Sequence, residues 1–278
     1  LLSFSVFAFL LNMGALLAFR IDNVVIKAHL GELDVTVYAL GAKVFDPMIT
    51  LLLGIGSVIM PVAAAAAARA DLTEVRPTFM RWSRIAALIT LVMGSYILVA
   101  GPQFLWTWVE AGSTSGRVMQ VLMASFLFFL PIRSVALPVL MGLGQAKVAG
   151  FGLLGMGVAN LALSLALIGD YGVMGVALGT AIPNVVFSVY LARVACRALG
   201  IPFGEWALYT FGRPAVAALI CGTVLYYAAN RIEMEGFVRL LPAGVAHTVL
   251  FGVLTWVWVL RGDPRIDTSS LLGRVKAR

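Results

Sequence analysis

Apolar runs of about 20 residues recur along the whole length of this chain, and they decide what it can fold into. A helix rises about 1.5 Å per residue, so each run is long enough to cross about 30 Å of hydrocarbon. The composition agrees, because 61% of the residues are hydrophobic and only 12% are charged, against about a half and a quarter in soluble domains. We therefore predict an all-α integral membrane protein.

Eight transmembrane helices can be drawn, and no connection between them is long enough to hold a soluble domain. They cover approximately residues 4–29, 36–61, 84–108, 118–141, 147–168, 172–194, 211–229 and 239–260. The two cysteines and two histidines are not at metal-ligand spacing, so neither a metal site nor a cofactor is expected. The chain begins with Leu inside an apolar run, and we expect it to be part of a longer protein.

Basic residues are distributed unequally between the two sides of the predicted membrane. The even-numbered connections and the C-terminal tail hold 13 Lys and Arg, the odd-numbered connections hold four, and three lie within spans. Basic residues favour the cytoplasmic side, so we expect both ends of the chain to be cytoplasmic, residues 69–84 to face the cytoplasm and residues 110–117 to face outward. The basic tail GRVKAR should lie against anionic lipid headgroups. Loop charge accounts for the net charge of +7, and no nucleic-acid partner is expected.

Five charged side chains stand inside the apolar runs and are the candidate functional residues: Arg20, Asp22, Lys43, Asp46 and Arg133. A charge at the centre of a span costs about 2.5–3.5 kcal/mol on the insertion scale. Such residues usually face a bundle interior or a watery cavity on a transport path. Their charges sum to +3 − 2 = +1, which favours an anionic load. The alternative is that they are neutralised pairs that only orient helices, and Arg133 can also extend to the cytoplasmic face.

The pairing of these charges can be predicted from depth. Arg20 and Asp22 are two residues apart and point to nearly opposite sides of a helix, so their partners should come from the next span, which runs back antiparallel. Equal depth pairs Arg20 with Asp46 and Asp22 with Lys43, with Lys43 and Asp46 at i,i+3 as a local competitor. Pro47 lacks an N–H and clashes with the carbonyl of Lys43, so a kink is expected there.

Two further signals have structural interpretations. GFGLLG, residues 150–155, matches the dinucleotide pattern GxGxxG, which needs a preceding strand. Here the glycines lie in an apolar span, where small residues allow helices to approach closely, so we predict helix packing. His247 has no carboxylate at helical spacing and is interpreted as a structural histidine rather than a proton carrier.

Three segments carry a resemblance to a known family. LLAFRIDNVVIKAHLGELDVTVYALGAKVF, residues 16–45, resembles the start of the C-terminal half of the Wzx-type O-antigen flippases, which belong to the multidrug/oligosaccharidyl-lipid/polysaccharide (MOP) exporter superfamily. In that family R-x-D opens the seventh span and a short turn follows. GPQFLWTWVEAG, residues 101–112, resembles the segment between the ninth and tenth spans. The third segment is GDYGVMGVALGTAIPNVV, residues 169–186. The residues of the first segment that match the family motif are Arg20, Asp22, Leu30, Gly31, Val35 and Tyr38. Those of the third segment are Tyr171, Gly172, Gly175, Ala177 and Thr180.

The resemblance implies a fold similar to the second six-helix lobe of the MATE-like exporters, here residues 1–200, with the first lobe missing. Residues 201–278 would form the final two transmembrane helices and a basic cytoplasmic tail. Lys27 is a departure, since the family more often has Gly near there. The implied location is the bacterial cytoplasmic membrane.

The implied function is alternating-access export of an oligosaccharide linked to polyprenyl diphosphate, with no bond made or broken and hence no enzyme activity. Arg20, Lys43 and Arg133 would bind the diphosphate, because guanidinium and ammonium groups suit phosphate. Asp22 and Asp46 would pair with these bases or couple transport to a proton or sodium ion. Membrane lipids would surround the lobe.

Other functions remain open from the sequence. A lipid II flippase shares the fold, and the charge count does not separate it. A multidrug exporter would prefer an acidic cavity. A membrane-embedded glycan polymerase or acyltransferase would need clustered acids, bases or histidines in sizeable outward loops. The acids of the outward loops are few and scattered: Glu32, Asp34, Glu110, Asp170, Glu233 and Glu235.

Overall fold

The computed structural model describes residues 20–231 and 236–266, together with residues 9, 13, 14, 16 and 17. Every regular element within that part of the chain is helical. Seven helices are long and apolar enough to cross a membrane. The prediction of an all-α membrane protein is therefore confirmed. Eleven of the 26 residues of the first predicted span, residues 4–29, fall outside the described residues, as do Glu233, Glu235 and the tail GRVKAR.

The helices follow one another with short connections. Two short helices come first, α1 (Ile21–His29) and α2 (Glu32–Lys43). The seven candidate spans are α3 (Asp46–Arg69), α4 (Val75–Val109), α5 (Ser113–Gly142), α6 (Ala146–Tyr171), α7 (Val173–Leu199), α8 (Phe203–Arg231) and α9 (Phe237–Leu260). The last two helices each contain a five-residue π-helical stretch, Leu208–Gly212 in α8 and Trp256–Leu260 in α9.

The second predicted span, residues 36–61, is wrong as a single helix. The chain forms α2 and α3, which are separated by a turn at Val44 and Phe45. Pro47 lies in the first turn of α3, where its missing N–H leaves no hydrogen bond unmade. The distortion expected at Pro47 takes the form of a two-residue interruption, in which Val44 and Phe45 keep right-handed helical backbone angles.

Helix α5 lies at the centre of the bundle and packs against α2, α3, α4 and α7. Aromatic and aliphatic side chains fill the space between these helices. Phe45 at the helix break meets Phe126 of α5 edge to face, with ring centroids 4.9 Å apart. Both rings are buried. The break between α2 and α3 is thus held against the central helix by a packed aromatic pair.

Helices α8 and α9 pack on the side of α4, next to one another. His247 of α9 lies within hydrogen-bond distance of Ser95 Oγ of α4, 3.0 Å away, and of the Val92 carbonyl oxygen, 3.2 Å away. The side chain is buried. The structural interpretation of His247 is confirmed, since it fastens the last helix to α4.

The glycines of GFGLLG lie in α6, with no strand before them, and the packing interpretation is confirmed at Gly152 but not at Gly155, where an added Cβ would meet nothing within 4 Å. A Cβ at Gly152 would lie 2.7 Å from the Tyr190 ring of α7. Two further glycines bring α6 and α7 together. A Cβ at Gly175 would lie 2.3 Å from the Leu167 carbonyl oxygen, and one at Gly179 would lie 2.7 Å from the Ser164 amide nitrogen.

Replacing Gly175 with valine is therefore expected to destabilise the bundle. The contact is with backbone, which cannot move aside, and overpacking of this kind costs about 1–3 kcal/mol or more. The measurement is thermal unfolding of the purified protein in detergent. Gly155→Val is the matched control, because a Cβ there meets nothing within 4 Å. Equal unfolding temperatures for the two variants would contradict this packing.

The predicted membrane orientation can be tested with single cysteines. Gly112 precedes α5, and Thr73 lies in the exposed connection before α4. The native Cys196 and Cys221 are buried free thiols. An impermeant maleimide applied to intact cells should modify Gly112→Cys and should reach Thr73→Cys only after permeabilisation. Labelling in the opposite order would invert the topology.

Candidate functional site

All five intramembrane charges predicted from the sequence line one cavity. Its volume is about 810 Å³, and its walls come from the first three helices, from α5 and from α7. The inner wall is apolar and contains Leu122, Phe126, Phe129 and Leu130 of α5. The structure thus brings together Arg20, Asp22, Lys43, Asp46 and Arg133 although they come from four different segments of the chain.

Asp22 is the buried centre of the site, with 4% of its surface exposed. Its Oδ2 accepts hydrogen bonds from the Tyr38 hydroxyl at 2.6 Å and from the Thr180 hydroxyl at 2.9 Å. Its Oδ1 accepts from Asn160 Nδ2 at 3.2 Å. Asp22 is therefore held by neutral donors from three helices.

The hydrogen-bond network continues behind Asp22. Asn160 Oδ1 accepts from Ser164 Oγ at 3.0 Å and lies 3.3 Å from Thr180 Oγ1, whose single proton is donated to Asp22. Ser164 lies one helical turn after Asn160 on α6, so both point to the same side. Oxygen atoms from a carboxylate, an amide and two hydroxyls thus converge in one buried spot. Such a set of oxygens suits a hard cation or a proton.

The pairs predicted from depth are wrong. Lys43 Nζ lies 3.0 Å from Asp46 Oδ2, so the local i,i+3 competitor forms instead of the pairs Arg20–Asp46 and Asp22–Lys43. Lys43 and Asp46 are three residues apart. The turn between them keeps right-handed helical backbone angles at both of its residues, so the i,i+3 pair stays close.

The cations Lys43 and Arg20 are more accessible to solvent than the carboxylate of Asp22. The Lys43 and Asp46 side chains are 69% and 59% exposed, and Arg20 is exposed at the start of α1. No carboxylate lies within ion-pair distance of Arg20 among the described residues. Arg133 is half-buried on α5, with its guanidinium carbon 5.9 Å from the Phe129 ring centroid. The cavity therefore presents positive charge to whatever enters it.

The sequence reasoning missed Asn160 and Ser164 and gave Tyr38 and Thr180 no chemical role. A polar side chain within a transmembrane helix is itself a signal, because its hydrogen-bond partners must come from neighbouring helices. The pair Asn160 and Ser164 at i,i+4 in the apolar α6 is such a signal. The sequence alone does not show that both meet Asp22, because that requires the packing of α1 against α6 and α7.

Comparison with known proteins connects this fold to a flippase. No family model matches the chain, and no curated protein matches it by sequence. The solved structure "Lipid II flippase MurJ, inward closed conformation" has a similar fold, with a TM-score of 0.70, 13% sequence identity and coverage of 88% of this chain. The chain spans 52% of the length of that structure. The fold of this protein is thus that of about half of a lipid II flippase.

Proposed function

We propose that this chain is one lobe of a flippase for a lipid-linked glycan with an anionic headgroup. The observation that carries the proposal is the cavity with net charge +1, in which Arg20, Lys43 and Arg133 surround an apolar wall. The fold shared with a lipid II flippase supports it. The proposed cargo is an oligosaccharide on polyprenyl diphosphate, as in Wzx-type exporters, and no covalent bond changes.

The chemistry of the cavity suits such a cargo. A diphosphate cannot enter hydrocarbon unaided, and arginine and lysine replace its hydration. The volume of about 810 Å³ falls within the range of about 300–1,000 Å³ that holds small ligands. The headgroup would occupy the cavity while the polyprenyl tail stays in the bilayer. Rocking of this lobe against a second one would then alternate the access.

Asp22 is proposed as the coupling residue. It is buried and lines the cavity, and it is held on α1 by donors from α2, α6 and α7. A proton or a sodium ion that binds here would change the hydrogen bonds between these helices. The coupling is tested by transport into vesicles with a pH gradient or a sodium gradient imposed separately. Equal flux without either gradient would refute coupling.

The identity of the cargo is tested by deleting the gene. The proposed Wzx-type function requires surface-polysaccharide units on polyprenyl diphosphate to accumulate on the cytoplasmic side. The fold similarity favours lipid II as the alternative cargo, in which case lipid II accumulates instead. Accumulation of neither lipid would overturn the proposal, and sensitivity to cationic drugs would point to a multidrug exporter.

The chain alone should not transport. We propose that residues 1–200 form the transport lobe and that residues 201–278 form a helix pair with a basic cytoplasmic tail. A first lobe would complete the cavity. The assembly would lie in the bacterial cytoplasmic membrane, with both ends of this chain cytoplasmic. Expression of the 278 residues in a deletion strain should leave export absent, and co-expression with a first lobe should restore it. Restored export by the chain alone would contradict the two-lobe proposal.

A further inference from the structure

A second charged cavity lies where α8 begins and α9 ends. Its residues are distant in sequence from those of the transport site. Its volume is about 350 Å³, and four arginines line it together with a single acid: Arg84, Arg213, Arg261, Arg265 and Asp263. Both π-helical stretches form its walls, since Tyr209 belongs to one and Val259 to the other. Such widened turns occur frequently at functional sites.

Both carboxylate oxygens of Asp263, the acid of this cavity, are bound by neighbouring groups. Asp263 forms a buried ion pair with Arg84 and accepts a hydrogen bond from the Tyr209 hydroxyl at 2.8 Å. Its other oxygen accepts from the Arg265 amide at 2.9 Å. The Arg84 guanidinium also lies 3.5 Å from the centroid of the Tyr209 ring. Asp263 therefore neutralises Arg84. It does not form an ion pair with the other arginines of the cavity.

The remaining arginines keep a net positive charge at the mouth of the cavity. Arg265 pairs with Glu205 at 3.0 Å, and Arg213 donates to the Trp258 carbonyl oxygen at 3.1 Å. Arg261 is exposed and makes no ion pair among the described residues. With Glu205 included, the local charge is +4 − 2 = +2. The cavity of about 350 Å³ has room for an anion.

An apolar groove continues from this cavity along the outer surface of the two helices. The groove has a volume of about 680 Å³ and shares Arg213 and Arg261 with the cavity. Its apolar lining is Leu208, Val216, Val257 and Trp258, all strongly exposed. Since α8 and α9 are candidate membrane spans, this surface faces lipid. Tryptophan is typical of the level at which hydrocarbon gives way to headgroups.

We propose that this composite site binds an anionic phospholipid, with its phosphate between Arg213 and Arg261 and an acyl chain in the groove. The charge requires an anion, and the adjoining hydrocarbon-facing groove requires that the anion carry a lipid chain. The arginines lie at the membrane end that the basic connections assign to the cytoplasm. The bound lipid would join the ends of α8 and α9 to each other.

The test is native mass spectrometry of the full chain, purified and mixed with phosphatidylglycerol or with phosphatidylcholine of the same acyl chains. Wild type should retain phosphatidylglycerol preferentially. The double variant Arg213→Gln, Arg261→Gln should bind it about tenfold or more weakly, because each basic residue near a membrane surface contributes measurably to anionic lipid affinity. Val257→Trp should also weaken retention, since it fills the groove without changing charge.

The matched control removes two exposed arginines outside the cavity, Arg81→Gln and Arg197→Gln. Equal loss of lipid in the control double variant would mean general electrostatics and would overturn the site. Equal retention of both lipids by wild type would overturn the choice of an anionic lipid. Displacement of phosphatidylglycerol by millimolar inorganic phosphate would reassign the site to a free anion. Displacement by polyprenyl diphosphate at equal concentration would reassign it to cargo. Either result would overturn the proposal as stated.

Discussion

Asp22→Asn is expected to abolish transport while the protein still folds and inserts. Asparagine has the same shape, so its carbonyl oxygen can still accept from Tyr38 and Thr180, which donate to Asp22 Oδ2. Its amide nitrogen would face the Asn160 donor, which leaves one buried group unpaired at about 1–3 kcal/mol. The carboxylate that we propose binds the coupling cation is lost completely. Export should therefore fall to background, with a modest decrease in thermal stability.

The measurements are export of the lipid-linked glycan in a deletion strain and thermal unfolding of the purified protein. Asp34→Asn is the matched control, because it removes an acid from the first turn of α2, away from the cavity. Tyr38→Phe separates the two effects, since it removes a donor and keeps the carboxylate. Wild-type export by Asp22→Asn would refute the coupling role. Background export by Asp34→Asn would show that any loss of an acid here is disruptive.

The sequence predicted the helices well because lipid imposes one rule on every span: long apolar runs must be helices. The ends were less certain. Helix α4 begins at Val75, well before the predicted residue 84, since Met80 and Phe79 of that extension pack into the core. Burial of a helix turn outside the predicted span depends on its neighbours, and no local pattern marks it.

The five charges were identifiable from the sequence because each contradicts its apolar surroundings. Their partners were not, for two physical reasons. The depth argument compared only positions along the spans, whereas Lys43 and Asp46, three residues apart in sequence, pair with each other. Charge matching also assumed that a buried acid needs a cation, whereas Asp22 is satisfied by hydroxyl and amide donors from Tyr38, Thr180 and Asn160. Neutral donors of this kind are visible only after the helices are packed.

The double variant Arg20→Ala, Lys43→Ala is expected to abolish export as completely as the loss of the coupling acid, and with less effect on folding. Both side chains are exposed to the cavity, so their removal leaves no buried group unpaired. The local charge falls from +1 to −1, which repels a diphosphate instead of attracting it. Binding of the polyprenyl diphosphate, measured by native mass spectrometry, should fall together with export, and the unfolding temperature should stay near that of wild type.

Lys43→Ala also frees Asp46, whose only described ion-pair partner is Lys43, so the cavity gains an uncompensated acid. The triple variant that adds Asp46→Asn should therefore recover part of the cargo binding if charge alone matters. The conservative double variant Arg20→Lys, Lys43→Arg keeps both charges and should recover more. The control Lys27→Ala, Arg117→Ala removes two exposed bases outside the cavity and should export normally. Full export by Arg20→Ala, Lys43→Ala would show that these bases only orient helices, and the anionic-cargo proposal would then lose its main support.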